Sequence, residues 1–203
     1  MAGFNHKKAV QSLNFFALKE GGTINNMKAI KLIWLSDRTH LRKYGRPIIM
    51  DQYFALPYGP VPTNTKDLIT NQTSFLSEDE IIYRNEFISE KYQYNFSSIK
   101  HIDTKVFSKT DLSTMEAVYE EFGNLDQFEL SKISHNYPEW KKFESGLKNK
   151  LYSRHEMNYL DFFKDPNDPD DKLHNSFFED TDKYIEIARE IFNENNDLAY
   201  GIS

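Results

Sequence analysis

The stretch from Met27 to Pro62 constrains the fold of this chain more than any other stretch. Apolar side chains recur at helical spacing through its first half: Ile30, Ile33, Trp34, Leu41 and Tyr44. Gly45 ends this pattern, and Thr23 or Asn25 before it can cap the helix by accepting a backbone N–H. We therefore expect a long amphipathic helix around which the rest of the chain is organised.

A carboxylate and an imidazole lie on the apolar face of this helix. Asp37 comes three residues after Trp34, and His40 lies beside it. A buried acid must be hydrogen-bonded or paired, so we expect Asp37 to bind Arg46, a tyrosine hydroxyl or backbone N–H groups of the following loop. The alternative is a metal site or an acid–base pair at i and i+3, but no His-rich motif elsewhere supplies further ligands. The pattern favours a polar clamp over catalytic or metal-binding residues.

The segment after the helix predicts strands and a stiff loop. Residues 48–50 favour a short strand, and Tyr53–Leu56 its partner or continuation. The next six residues, PYGPVP, contain three prolines, and proline fixes φ and restrains the residue before it. This loop should present Tyr58 and Val61 at little entropic cost. It does not resemble a phosphate cradle, because it has one glycine and lacks three N–H donors.

The charges are unevenly spread along the chain. Residues 1–50 hold nine Lys/Arg against two acids, residues 151–203 hold thirteen Asp/Glu against five Lys/Arg, and the total charge is -6. A helix is also predicted from His6 to Lys19, and Gly21-Gly22 separate it from the long helix. Two helices joined by so short a turn predict an αα-hairpin or a helix-turn-helix-like pair. In the DNA-binding version, the candidate contacts are Lys28, Lys31 and Arg42. Docking of the acidic tail beside the basic head is the favoured interpretation, so nucleic acid is an open but not favoured partner.

Further elements follow from capping and alternation. Asn64 or Thr65 can cap a short helix that ends at Ile69. Alternating side chains over Ile81–Ile88 and Tyr92–Ile99 predict a β-hairpin.

Capping boxes mark the next helices. Ser113 with Glu116 predicts a helix that ends at Phe122 before Gly123, and Asp126 with Glu129 predicts another to about Ser134; Pro138 then begins a third. We expect further helices over residues 152–163 and 181–193, separated by an exposed acidic loop over residues 164–172.

Composition places these elements in one folded unit. Aromatic residues make up 15% of the chain, which argues against a disordered protein, and the absence of cysteine excludes disulfides and thiolate sites. No apolar run approaches the ~20 residues that span a bilayer, so we expect no membrane partner and, without a secretory signal, a cytoplasmic protein. The expected fold is mainly α (α+β): a compact helical domain over residues 1–150 with a small antiparallel β element, and an acidic helical C-terminal extension over residues 151–203. This extension should pack on the domain or on a partner.

Three ordered motifs resemble one protein family, the Panacea (SocA-like or GepA-like) antitoxin domain of type II toxin–antitoxin systems. The long helix carries Asp-Arg-x-His-Leu-x-x-Tyr-Gly, a Gly-Pro-Val loop follows, and Ser-His-x-x-Pro-x-Trp comes later. The matching residues are Asp37, Arg38, His40, Leu41, Tyr44, Gly45, Gly59, Pro60, Val61, Ser134, His135, Pro138 and Trp140. The resemblance spans roughly residues 9 to 143 and departs after about residue 150.

The resemblance implies an antitoxin of bacterial or phage origin that binds and neutralises a cognate toxin, forms an oligomer with it, and has no enzymatic activity or cofactor. A translation-inhibiting toxin would fit, since members of this antitoxin family serve very different toxins, several of which stop translation. Two alternatives stay open: a repressor of its own operon, and a protease adaptor that delivers the toxin for degradation. The motif residues, with Tyr58, would form a structural clamp in which Asp37 and His40 pin the long helix to the loop at residues 58–61.

Overall fold

The computed structural model describes residues 3–91, 93–166 and 182–200. Its helices are α1 (His6–Lys19), α2 (Asn26–Tyr44), α3 (Thr63–Ile69), α4 (Glu78–Phe87), α5 (Lys109–Phe122), α6 (Gln127–Ser134), α7 (Pro138–Lys141), α8 (Glu144–Lys148) and α9 (Asp182–Tyr200). Its strands are β1 (Thr23–Asn25), β2 (Tyr53–Leu56), β3 (Gly59–Pro62), β4 (Ile88–Lys91), β5 (Asn95–Ser98) and β6 (His155–Glu156). Short 3₁₀ turns span Thr104–Val106 and Tyr159–Phe163.

The strands form two small antiparallel sheets, ordered β1-β5-β4 and β3-β2-β6. The prediction of a mainly α protein with a small antiparallel β element is confirmed. Among the described helices, none is long and apolar enough to cross a membrane.

Helix α2 is the interior element of the fold. Every side chain from Lys28 to Arg42 is buried, and α5, α6, α9 and β3 pack around the helix. The side-chain oxygen of Asn25 caps its start by accepting from two backbone N–H groups, and Gly45 ends it with a φ of 67°. The sequence predicted that one apolar face of this helix would be buried. In the structure the helix is buried on all sides, because distant parts of the chain pack around it.

Residues 48–50 form no strand, contrary to expectation. The backbone N–H groups of Ile48 and Ile49 donate to Asp37 Oδ1 at 2.8 and 3.2 Å, so they are not available to a neighbouring strand. The partner of β2 is instead the proline segment, since Tyr53 pairs with Pro62 and Leu56 with Gly59.

The prediction of a strand over Ile81–Ile88 is wrong, because most of this segment is helix α4. A capping box between Ser77 and Glu80 opens the helix. Its buried Arg84 then donates to the carbonyl oxygens of Leu68 and Ile69, which are left without helical partners at the end of α3. The hairpin exists but is shorter, with β4 beginning only where α4 ends.

Helix α5 begins earlier than expected. Its capping box joins Ser108 and Asp111, so the prediction of Ser113 as the first residue is wrong, whereas the box of Asp126 and Glu129 is confirmed. The carboxylate of Asp111 also pairs with Lys8.

Helix α3 is capped from outside its own segment. The residue before it is Pro62, which makes no side-chain capping bond. The carboxylate of Asp51 accepts instead from the N–H groups of Asn64 and Thr65 at 3.0 and 2.8 Å, so neither expected cap serves.

The C-terminal part shares the core of the rest. Residues 152–163 form β6 and a 3₁₀ turn where a helix was expected, and the acidic loop lies outside the described residues after residue 166. Helix α9 extends past the expected end to Tyr200. Phe162, Phe163, Ala188 and Phe192 belong to the same apolar cluster as α1 and α2.

Candidate partner-binding groove

Asp37 joins α2 to the segment that follows it. Its Oδ1 accepts from the backbone N–H groups of Ile48 and Ile49, and its Oδ2 accepts from the hydroxyl of Tyr53 at 3.0 Å. Burial raises the pKa of Asp37 to about 7, while these hydrogen bonds act in the opposite direction. The carboxylate thus holds the chain after α2 in place.

His40 makes a second connection, to the start of α5. The Nδ1–H donates to the carbonyl oxygen of Arg46 at 2.7 Å, because a carbonyl can only accept, and Nε2 then accepts from the hydroxyl of Thr110 at 3.0 Å. Burial lowers the pKa of His40 to about 4, which keeps the ring neutral near pH 7. The half-exposed ring of Tyr44 lies over it with a centroid distance of 4.6 Å. The hydrogen bonds of Asp37 and His40 reach residues 46–53 and Thr110 rather than the loop at residues 58–61, so the expected pinning of the helix to that loop by these two side chains is wrong.

Arg38 connects the first motif to the third. Its Nε lies 3.5 Å from the carboxylate of Glu139 in α7, and its guanidinium lies over the ring of Tyr137. The same guanidinium donates to the carbonyl oxygens of Phe162 and Lys164. Burial raises the pKa of Glu139, and the nearby guanidinium acts against that rise. Arg38 therefore binds α7 and the C-terminal part to α2.

The Gly-Pro-Val segment is held by residues that the sequence did not assign to it. Lys31 Nζ donates to the carbonyl oxygen of Pro60 at 2.8 Å, and Ser131 Oγ donates to that of Tyr58 at 2.9 Å. Gly59 has a φ of +102°, and a Cβ placed on it would lie 2.2 Å from Ser134 Oγ. Only glycine fits there, because both the backbone conformation and the close approach exclude a side chain.

The third motif fixes the other end of the same hairpin. The indole Nε1–H of Trp140 donates to the carbonyl oxygen of Leu56 at 2.8 Å, and His135 stacks on the indole at 3.8 Å. Trp140 is buried, and so is Val61 in β3. All three motifs therefore meet around the β2–β3 hairpin and α2, where they stiffen the turn that carries Tyr58.

The three candidate DNA contacts are buried. Lys28 donates to the carbonyl oxygen of Gly123 at 2.6 Å, and Arg42 donates to that of Phe163 at 2.6 Å and pairs with Asp165. The ammonium group of Lys31 donates to the carbonyl oxygen of Pro60. A phosphate contact needs an accessible cation, so these positions do not fit the role that the sequence suggested for them.

An apolar groove lies directly over this scaffold. It has a volume of about 860 Å³ and lies between the start of α2, the β2–β3 turn, α3, the β4–β5 turn and the start of α6. Met27, Ile30, Leu56, Val61 and Ile69 line it with apolar side chains. Three aromatic residues on its lining are exposed: Tyr58 by 64%, Tyr94 by 83% and Phe128 by 61%. Exposed rings around an apolar depression are typical of a protein-binding surface.

Strained backbone positions the ring of Tyr94. Gln93 and Tyr94 have φ values of 61° and 60°, a conformation that non-glycine residues seldom adopt. The carbonyl oxygen of Tyr94 accepts from the N–H of Asn26 at 2.8 Å, which ties the turn to the start of α2. Strain of this kind persists where surrounding contacts enforce it, often at functional sites.

The sequence predicted that the loop presents Tyr58 and Val61. Tyr58 is exposed as expected, but the expectation for Val61 is wrong, because its side chain is buried in β3. Sequence reasoning missed Tyr94, Phe128 and Lys66 in the groove. Phe128 had a signal, since it lies two residues before the buried Leu130 and therefore on the opposite face of α6. Within the described ranges, no group of three or more His, Asp or Glu residues is arranged to hold a metal ion.

Comparison with known proteins gives one family. The chain matches the family model described as "Antitoxin SocA-like, Panacea domain" over residues 30–141, which is more than half of the 203 residues. The matched segment contains all three motifs and most of the groove. No curated protein and no solved structure matches the chain.

Proposed function

The chain belongs to the SocA-like Panacea antitoxin family, and from this membership we propose that it neutralises a cognate toxin by binding it directly through the groove. The antitoxin then acts in the cytoplasm as a binding protein without enzymatic activity, and the neutralised state is an oligomer of antitoxin and toxin.

The observation that carries the proposal is the combination of an apolar groove with a rigid base. Tyr58, Tyr94 and Phe128 offer large aromatic surfaces that lose little conformational entropy on binding. Lys31, Ser131 and Trp140 hold the hairpin beneath them, and the bond between Asn26 and Tyr94 ties the β4–β5 turn to the start of α2. Preorganised aromatic residues of this kind supply much of the affinity of protein interfaces.

The test is growth rescue with the product of the neighbouring reading frame, expressed alone and together with this chain. We expect the neighbour's product to arrest growth, the pair to restore it, and the two proteins to co-purify. A toxic neighbour that is not rescued by this chain would refute the antitoxin proposal.

Groove variants then test the surface. The double variant Tyr58→Ala/Phe128→Ala should lose rescue and weaken binding by more than about tenfold, the usual cost of truncating interface anchors. Phe75→Ala/Leu151→Ala is the matched control, because both side chains are 76% exposed and neither lines the groove. Equal rescue by both double variants would place toxin binding elsewhere.

A further inference from the structure

The charges of the groove differ in sign from those of the whole chain. The chain carries 31 Asp and Glu and a net charge of -6. Among the described residues that line the groove there is no Asp or Glu, and the charged side chains are Lys31 and Lys66. The described lining of the apolar depression therefore holds two lysines and no carboxylate, although the protein as a whole is acidic.

Lys31 is a buried cation that borders this site. Its side chain is 1% exposed, and its Nζ donates to the carbonyl oxygen of Pro60. No ion pair of Lys31 is found within residues 3–91, 93–166 and 182–200. A buried ammonium without a counter-ion is costly, and burial lowers the pKa of Lys31 to about 7. An approaching carboxylate would compensate this cost.

Lys66 lies on the same groove and is exposed to solvent. It lies in α3, one turn before Ile69, whose side chain lines the apolar floor. An anion that reaches the groove therefore meets a buried and an exposed ammonium beside apolar side chains.

The rim of the groove carries neutral polar groups. Asn25, Asn26, Gln93 and Gln127 belong to its lining. Amides both donate and accept, so they suit the backbone of a bound polypeptide segment and carry no charge preference of their own. The charge preference of the groove rests on its two lysines.

We propose that the groove binds an apolar segment of the toxin that carries an Asp or Glu side chain, whose carboxylate pairs with Lys66 and faces Lys31. This inference rests on the proposed function and adds the chemistry of the partner: apolar side chains contact the floor and the three aromatic rings, and the carboxylate supplies the counter-ion that the groove lacks. Complementary charge of this kind sets specificity and the association rate.

Charge reversal on Lys66 tests the pairing in the complex of full-length proteins. Lys66→Glu should weaken toxin binding by about tenfold or more and reduce its dependence on salt. Lys105→Glu is the matched control, because Lys105 is exposed and lies outside the groove. This substitution changes the net charge by the same amount as Lys66→Glu. Lys31 is left unchanged, since it also holds Pro60.

Zero-length coupling with a carbodiimide identifies the partner group, because this reagent joins a lysine amine to a carboxylate in direct contact. Mass spectrometry of the coupled complex should find Lys66 joined to an Asp or Glu of the toxin. Reversing that toxin residue to lysine should then restore binding to Lys66→Glu. Unchanged affinity of Lys66→Glu, or couplings of the toxin only to lysines outside the groove, would overturn the inference. Loss of binding in Tyr58→Ala/Phe128→Ala would still support the antitoxin proposal.

Discussion

At the scale of single residues, the buried polar groups of the motifs act as internal connectors. Asp37 serves two backbone N–H groups and a tyrosine hydroxyl, and Arg38 reaches α7 and the C-terminal part. A buried polar group that loses its partner costs about 1–3 kcal/mol, so each connector restrains the elements it joins. The sequence predicted that Asp37 would bind Arg46, a tyrosine hydroxyl or loop N–H groups. The last two are observed, whereas Arg46 pairs with Asp111 instead.

Gly59 provides the first prediction. Gly59→Ala should destabilise the fold for two reasons, a φ of +102° and a Cβ that would meet Ser134 Oγ and Lys31 Nζ. Gly22→Ala is the matched control, because Gly22 has a φ of +101° and nothing within 4 Å of its Cβ position. We expect Gly22→Ala to cost about 1–2 kcal/mol of unfolding free energy and Gly59→Ala at least about 1 kcal/mol more, measured by urea denaturation. Equal costs would contradict the close packing described for Gly59.

The pKa of Asp37 provides the second prediction. Its value is 3.8 in an ordinary aspartate and about 7 in the folded chain, so across this window the folded state keeps a proton that the unfolded state has released. The stability contributed by this group is complete below about pH 4 and is lost as the pH rises through about 7. Asp37→Asn preserves the acceptor for Ile48 and Ile49 but has no proton to lose.

The free energy of unfolding of wild type minus that of Asp37→Asn should therefore fall between about pH 4 and pH 7 and level off above it. Urea denaturation across this range measures the difference, in which the contributions of His40 and other groups cancel. A difference that does not change with pH would show that the carboxyl titrates normally.

At the scale of elements, the buried helix α2 orders the fold, and the elements that carry the motifs meet on it. The bounds of α1 and the capping box of α6 agree with prediction, since periodicity and caps act within one turn of the chain. The strand predicted for residues 81–87 is wrong, and the sequence does contain the local signal for the helix, the Ser77–Glu80 capping box. Local sequence could not show that residues 48–50 form no strand, because the N–H of Ile48 donates to the side chain of Asp37, eleven residues earlier.

Helix α9 provides the third prediction. Phe192 is 3% exposed and packs against the rings of Tyr159 and Phe163, so Phe192→Ala should lower the free energy of unfolding by about 3 kcal/mol. Tyr184→Ala, on the same helix and 65% exposed, should change it by less than about 0.5 kcal/mol. Equal effects in guanidinium denaturation would indicate that α9 is not docked on α2 in solution.

At the scale of the whole molecule, the basic N-terminal part is neutralised internally. Arg42 pairs with Asp165, and Lys8 and Lys19 pair with Asp111 and Glu116. The favoured interpretation, in which the acidic tail docks beside the basic head, agrees with the contact between Arg42 and Asp165. The carbonyl oxygens of Phe162, Phe163 and Lys164 also accept from Arg38 and Arg42, and sequence charge counts do not include such acceptors.

The fourth prediction concerns nucleic acid. With Lys28, Lys31 and Arg42 buried and a net charge of -6, the chain alone should give no mobility shift of DNA from its own promoter at about 150 mM salt. A salt-sensitive shift that persists in Lys66→Glu would reveal a basic surface distinct from these residues and from the groove.

The sequence by itself determined the family, the helical class and the residues that form the motif cluster, because hydrophobic periodicity, caps and motif order are written in local residue types. Tertiary structure decided which groups these residues bind: the carbonyl oxygens of the loop at residues 58–61 accept from Lys31 and Ser131, whereas Asp37 and His40 bind other segments. It also decided that three candidate DNA contacts became interior connectors and that an apolar groove lined by two lysines formed on an acidic protein. The groove is assembled from residues between Asn25 and Phe128, and only folding brings such distant positions together.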